Sequence, residues 1–128
     1  MAKIKALGHA CFVLSTDEHS VIFDPWLAEN PEAAIGPDEV ETDAILVSHG
    51  HSDHLGDAIP IAARLDIPII APYELAMYCS RFDVPVAPMH IGGGAAFDFG
   101  YVKLTMAMHG SGIVGDDLIE YTGPPHKR

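Results

Sequence analysis

Polar and apolar residues alternate through "KIKAL" (residues 3–7), the period of a half-buried strand. "ACFVLST" (10–16) and "SVIFDP" (20–25) read as two more strands, joined as a hairpin by the polar turn around residues 17–19. The pattern then lapses. "PWLAENPEAAIGPDEVET" (25–42) holds three prolines and a glycine without sustained periodicity, so it predicts a long loop with one helical turn near Asp38. Loops of that length inside a compact domain are uncommon and often functional.

Regularity returns with "AILV" (44–47), a continuous β-rich run typical of a strand buried on both faces, as parallel strands are. Leu55, Ile59, Ala62 and Leu65 then recur at helical spacing, with Pro60 tolerable if the helix begins near Asp57. "IPIIAP" (67–72) predicts another buried strand. "YELAMYCSRF" (73–82) predicts a helix with Leu75, Tyr78, Cys79 and Phe82 on one face, and "VPVAPMH" (84–90) a further strand. After the glycines at 92–94, "AAFDFG" and "YVKLTMAMHG" form a hairpin pair around Gly100. Opening hairpins followed by strand–helix–strand–helix units predict an α/β fold with a mixed sheet, in a single domain over residues 1–128.

Composition narrows the classes. The chain has 128 residues, 48% of them hydrophobic and 20% charged, which suits one globular core. No apolar run approaches the roughly 20 residues of a membrane helix, and "MAKIKALGHACF" lacks the features of a secretory signal, so a cytoplasmic, non-membrane protein is expected. Cys11 and Cys79 are too few for a disulfide framework and are expected as buried thiols. The net charge is −11, and the seven Lys and Arg are dispersed apart from Lys127–Arg128. A nucleic-acid partner is therefore disfavoured.

The candidate chemistry lies in "AILVSHGHSDHLGD" (44–57), where His49, His51, Asp53 and His54 fall within six positions at the end of the buried run. His-x-His on a loop leaving a strand turns two imidazoles toward one point, and Asp and His just beyond can face a second. Imidazole and carboxylate donors suit Zn²⁺ first, with Mn²⁺, Fe²⁺ or Ni²⁺ as alternatives. Gly50 is expected to supply backbone freedom there, and the following helix to turn its positive end toward the site. His109, ending an alternating strand, is by its own pattern as readily structural as functional. So is His9, in "LGH". His19, His90 and His126 read as solvent-exposed.

"HGHSDH" matches the H-x-H-x-D-H motif of the metallo-β-lactamase fold superfamily. With "LGHACFVL", "VIFDPWL", "YELAMY", "IGGGAAFDFG" and "VKLTMAMHGSGI", nearly the whole chain resembles bacterial metal-dependent hydrolases related to L-ascorbate-6-phosphate lactonase. The resemblance implies the N-terminal half of a four-layer αββα fold with one or two metal ions. His49, His51 and His109 would hold the first metal, and Asp53 and His54 the second. Asp24, in "FDP", would support the metal-site loop, and His9 would lie at the active-site rim. A metal-bound hydroxide, formed as the pKa of bound water falls to about 7, would attack a small ester, lactone or phosphoester, with Asp53 as ligand and proton acceptor.

The family's bridging Asp and its final His have no clear counterpart. Asp116, in "VGDDL", sits where a hairpin turn is expected, and His126 has little sequence around it. A half-fold of this kind would leave an apolar sheet face exposed, which predicts a homo-oligomer formed through that face. The alternative to a hydrolase is a truncated, non-catalytic metal-binding half-domain that self-associates.

Overall fold

A computed structural model describes residues 1–114 and the short strand at 119–120. Six strands form one mixed sheet in sequence order: β1 (Lys3–Gly8), β2 (Cys11–Ser15), β3 (Ser20–Phe23), β4 (Ala44–Leu46), β5 (Ile69–Pro72) and β6 (Val86–Met89). β1–β2–β3 is an antiparallel meander, whereas β3–β4–β5–β6 are parallel. The parallel strands therefore all deliver their C-terminal ends to one edge, the edge where Asp24 and the His49–His54 run emerge.

The helices differ from expectation in two places. The helix expected from near Asp57 is α2 (Ala58–Leu65), with Asp57 at its N-cap, but Leu55 belongs to a separate one-turn α1 (Ser52–Leu55). Gly56, at φ +44°, separates them, and a Cβ there would lie 2.5 Å from Trp26 Cα. The helical dipole expected beyond the cluster thus belongs to a single turn that itself carries Asp53 and His54. α3 (Tyr73–Ser80) buries Leu75, Ala76 and Cys79, but Phe82 falls past its end and is exposed.

Period-two alternation divides the sheet into two faces. Cys11, Ile22, Ile45, Val47, Ile69 and Ala71 point into the main core, which α1, α2, α3 and the long loop close with Leu55, Ile61, Ala62, Leu75, Leu27 and Val40. The loop also buries Asn30, and Arg64 of α2 donates to Pro37 O, Val40 O and Glu41 around the expected turn, a 3₁₀ helix at Pro37–Glu39.

The second face is not bare. A two-stranded hairpin, β7 (Gly94–Phe97) and β8 (Gly100–Lys103), packs Phe97, Phe99, Val102 and Leu104 against Val21, Ala44, Ile70 and Met89. Phe12 and Phe23 stack 4.4 Å apart and stay half-buried, and Met106 and Met108 project into solvent. β8 ends at Lys103, so the strand expected to continue to His109 is instead an irregular segment leading to β9 (Ile113–Val114), which pairs antiparallel with β10 (Ile119–Glu120). The turn expected between them, with Asp116, and the tail with His126 lie outside the described residues. No helix among the described residues is long and apolar enough to cross a membrane. Both thiols are free and buried; burial, assisted by the Asp24 and Asp57 carboxylates, pushes Cys11 up to about 12, and burial pushes Cys79 up to about 11.

Candidate metal centre

β4 hands the chain to Ser48 and His49 at the C-terminal edge of the sheet, and α1 begins two residues after Gly50. Gly50 does not adopt a positive φ, so the expected backbone freedom is not why glycine stands there. Space is the reason. A Cβ would lie 2.8 Å from Ile113 Cγ1 and 3.0 Å from Ser111 O, the segment that follows His109.

Two donor groups result. The ligand-capable atoms of His49, His51 and His109 all lie within 4.8 Å of one another, and so do those of His9, Asp53 and His54. Their rings interlock, with centroids 4.7 Å apart for His49–His51 and His49–His109 and 4.1 Å for His49–His54. The groups are therefore adjacent, and every candidate ligand named from the sequence is brought to one of them. His9, whose pattern alone left it open, reaches Asp53 Oδ2 with Nε2 at 3.1 Å, and its ring lies edge-on to Trp26 at 5.2 Å. It occupies the tip of the β1–β2 turn at φ +54°.

Asp24, also left-handed at φ +43°, is buried beneath the cluster. Its Oδ1 accepts the Ser48 N–H at 2.7 Å, and its Oδ2 accepts the Ser48 hydroxyl at 2.7 Å and His54 Nδ1 at 2.8 Å. Ser48 Oγ in turn lies 2.8 Å from His49 Nδ1. Non-glycine residues in this backbone region cost on the order of 1–3 kcal/mol and tend to cluster at functional sites.

The electrostatics suit cation binding. His49 Nε2 is buried with no hydrogen-bond partner among the described residues, an arrangement that costs about 1–3 kcal/mol unless something fills it. Burial, then the neighbouring His54 and His51, holds the His49 imidazole below its usual value of 6.5, so the ring is neutral at neutral pH. Burial alone would raise the Asp53 carboxyl. His54, its own backbone N–H and His9 outweigh that effect and lower it below 3.8. A neutral His49 imidazole and an ionised Asp53 carboxylate are the forms in which such groups bind a borderline divalent cation, so the donor set fits a metal ion.

Sequence reasoning missed three supporting residues. Ser48 carries the contacts just described. Asp57 Oδ2 accepts the N–H groups of Leu27 and Ala28, each at 2.9 Å, which ties the "PWLAEN" loop to α2. Trp26, on that loop, backs His9 and lines a cavity of about 280 Å³ with Glu29, Ser52, Leu55 and Ile113. The cavity lies beside α1 and none of the six donors lines it. Two further histidines among the described residues have other neighbours: His19 lies 3.7 Å from Asp43, and His90 stacks on Tyr73.

Residues 4–127 match the profile of the metallo-β-lactamase superfamily. The chain belongs to that superfamily. Among curated relatives, the UPF0173 metal-dependent hydrolase YtkL of Bacillus subtilis is 46% identical over 125 residues, covering 96% of this chain and 55% of that protein. A UPF0173 metal-dependent hydrolase of Carboxydothermus hydrogenoformans is 49% identical over 123 residues, covering 96% and 54%. The chain thus spans about half the length of the curated relatives it matches. Igni18, a metallo hydrolase of Ignicoccus hospitalis, superposes with a TM-score of 0.78 at 26% identity, over 94% of this chain and 53% of that one. A CmlA β-hydroxylase variant, with a TM-score of 0.59 at 18% identity, covers 74% of this chain and 22% of its own, and shares the fold alone. Within the superfamily, this chain carries the sheet edge and the two adjoining donor groups.

Proposed function

We propose that the chain supplies the metal-binding half of a hydrolase for small esters, lactones or phosphoesters. One observation carries this reading: two donor groups lie side by side, and His49 Nε2 is buried there without a hydrogen-bond partner among the described residues. His49, His51 and His109 would hold one divalent ion, Zn²⁺ by donor chemistry, and Asp53 with His54 a second. Such an ion brings Lewis acidity and lowers the pKa of a water to about 7.

The chain's own residues do the rest. Asp53, 43% exposed while the other acid beneath the cluster is buried, can accept a proton from the attacking water. His9 Nε2, 3.1 Å away, orients that carboxylate. Asp24 holds His54 by its Nδ1 and leaves Nε2 facing Asp53 Oδ2 at 3.9 Å. The acidic charge of −11 favours small metabolites over nucleic acid as substrates.

A second reading has its own support. Ile4, Tyr101, Met106 and Met108 are exposed large apolar residues, the kind of surface that a second copy of the chain could cover. On that reading the chain is a non-catalytic metal-binding half-domain that self-associates. The two readings separate in one assay: Zn²⁺-loaded protein is tested on a panel of lactones, esters and phosphodiesters, with His51→Ala as control. Turnover abolished by H51A supports the hydrolase. Bound Zn²⁺ without H51A-sensitive turnover, together with a dimer in analytical ultracentrifugation, supports the second reading.

A further inference from the structure

Each imidazole has two nitrogens, and only the one with a free lone pair can bind a cation. For two of the five rings in the centre, one carboxylate decides which nitrogen that is. Asp24 Oδ2 lies 2.7 Å from Ser48 Oγ and 2.8 Å from His54 Nδ1. A carboxylate only accepts, so the Ser48 hydroxyl proton points to Asp24 and His54 carries its proton on Nδ1. Ser48 Oγ has one proton and has already given it. Toward His49 Nδ1, 2.8 Å away, it can therefore only accept. His49 must also be protonated on Nδ1, which leaves its buried Nε2 as a bare lone pair, in keeping with the absence of a hydrogen-bond partner there among the described residues.

We propose that Ser48 is a positioning residue: its hydroxyl, held by Asp24, locks His49 in the Nδ1–H tautomer and joins the two donor groups through one carboxylate. His49 belongs to the group with His51 and His109, and His54 to the group with His9 and Asp53. Asp24 thus orients one ring of each, one directly and one through Ser48, before any cation arrives. The relay runs through the side chain, because Ser48 N–H donates separately to Asp24 Oδ1 and would do so from any residue. Hydrogen-bonded groups behind metal-binding imidazoles typically set affinity by about 10–100-fold. Ser48 is itself exposed, so removing its hydroxyl leaves no core cavity and the fold should survive the test. The inference rests on the metal-binding part of the proposed function and not on hydrolysis.

The experiment pairs ¹⁵N NMR of the histidine rings in the metal-free chain at pH 7.5 with Zn²⁺ titration. In the wild type, His49 should show the Nδ1–H tautomer. In Ser48→Ala it should shift to Nε2–H or a mixture, and affinity for one Zn²⁺ should fall about 10–100-fold while the other is unchanged. Ser48→Thr, which keeps the hydroxyl, should restore both signatures, and Asp24→Asn should weaken both ions. A wild-type tautomer or wild-type affinity in S48A, or failure of S48T to rescue, overturns the proposal. If the wild-type chain binds no Zn²⁺ at all, the metal-binding reading fails, and the tautomer comparison still decides the role of Ser48.

Discussion

Asp24 and His49 show how much of the centre hangs on single side chains. Asp24→Ala removes the acceptor of three hydrogen bonds from Ser48 and His54 and leaves their donors beneath the cluster unpaired. We expect a loss of about 3 kcal/mol in urea denaturation of the metal-free protein, since bonds to a charged acceptor contribute about 1.5–3 kcal/mol each and are not additive. The shifted groups fix a pH dependence. His49 in the folded state is held below 6.5, so below that pH the unfolded chain binds the extra proton, and stability falls as pH drops through the window beneath 6.5. Asp53 works in the same direction at lower pH: its depressed value contributes stability above 3.8 that is lost as pH falls through the folded value. The urea midpoint of the metal-free protein should therefore be lower at pH 5.5 than at 7.5, and His49→Gln should flatten the difference. At this scale the sequence was informative about donors and silent about their supports. Four metal-capable residues in six positions announce themselves, whereas Ser48 and Asp57 are ordinary polar residues until folding sets them against Asp24 and the 27–28 backbone.

At the level of elements, the edge is built by close approaches that glycine permits. Gly50→Ala would push a Cβ against the Ser111 carbonyl, which is backbone and cannot swing aside as a side-chain end can. The segment carrying His109 would move, so the variant should stay folded while losing affinity for one Zn²⁺, read by competition with a chromophoric chelator. Asp57→Ala should cost about 1–3 kcal/mol by freeing two backbone N–H groups of the Trp26 loop. Strands were the most legible elements, because unbroken β-rich runs and clean alternation leave little choice of period. The helix beginning near Asp57 was legible, but the separate turn before it was not, because Leu55 keeps spacing with Ile59 and Ala62 across a break set by Gly56 and its close approach to Trp26. The strand expected to end at His109 stops at Lys103: alternation continues through Met106 and Met108, but no partner strand pairs with it among the described residues. A local pattern cannot register a missing partner.

At the scale of the molecule, six strands in sequence order place the parallel C-termini on one side, which gathers His9, Asp24 and the His49–His54 run there, and the segment between β8 and β9 adds His109 to the same centre. The resemblance to the superfamily was readable from the motifs, and the superfamily profile covers residues 4–127. What could not be read was how far the second sheet face is already covered, since that depends on the β7–β8 hairpin folding back over Val21 and Ile70. The central claim is that the two donor groups bind divalent metal, and the zinc-to-protein ratio after dialysis, by mass spectrometry, tests it most directly. One to two equivalents in the wild type, falling by about one in His51→Ala, is the result expected from a donor set of this kind. A wild-type chain that is folded and retains no zinc, or an H51A variant that retains as much as wild type, would contradict it.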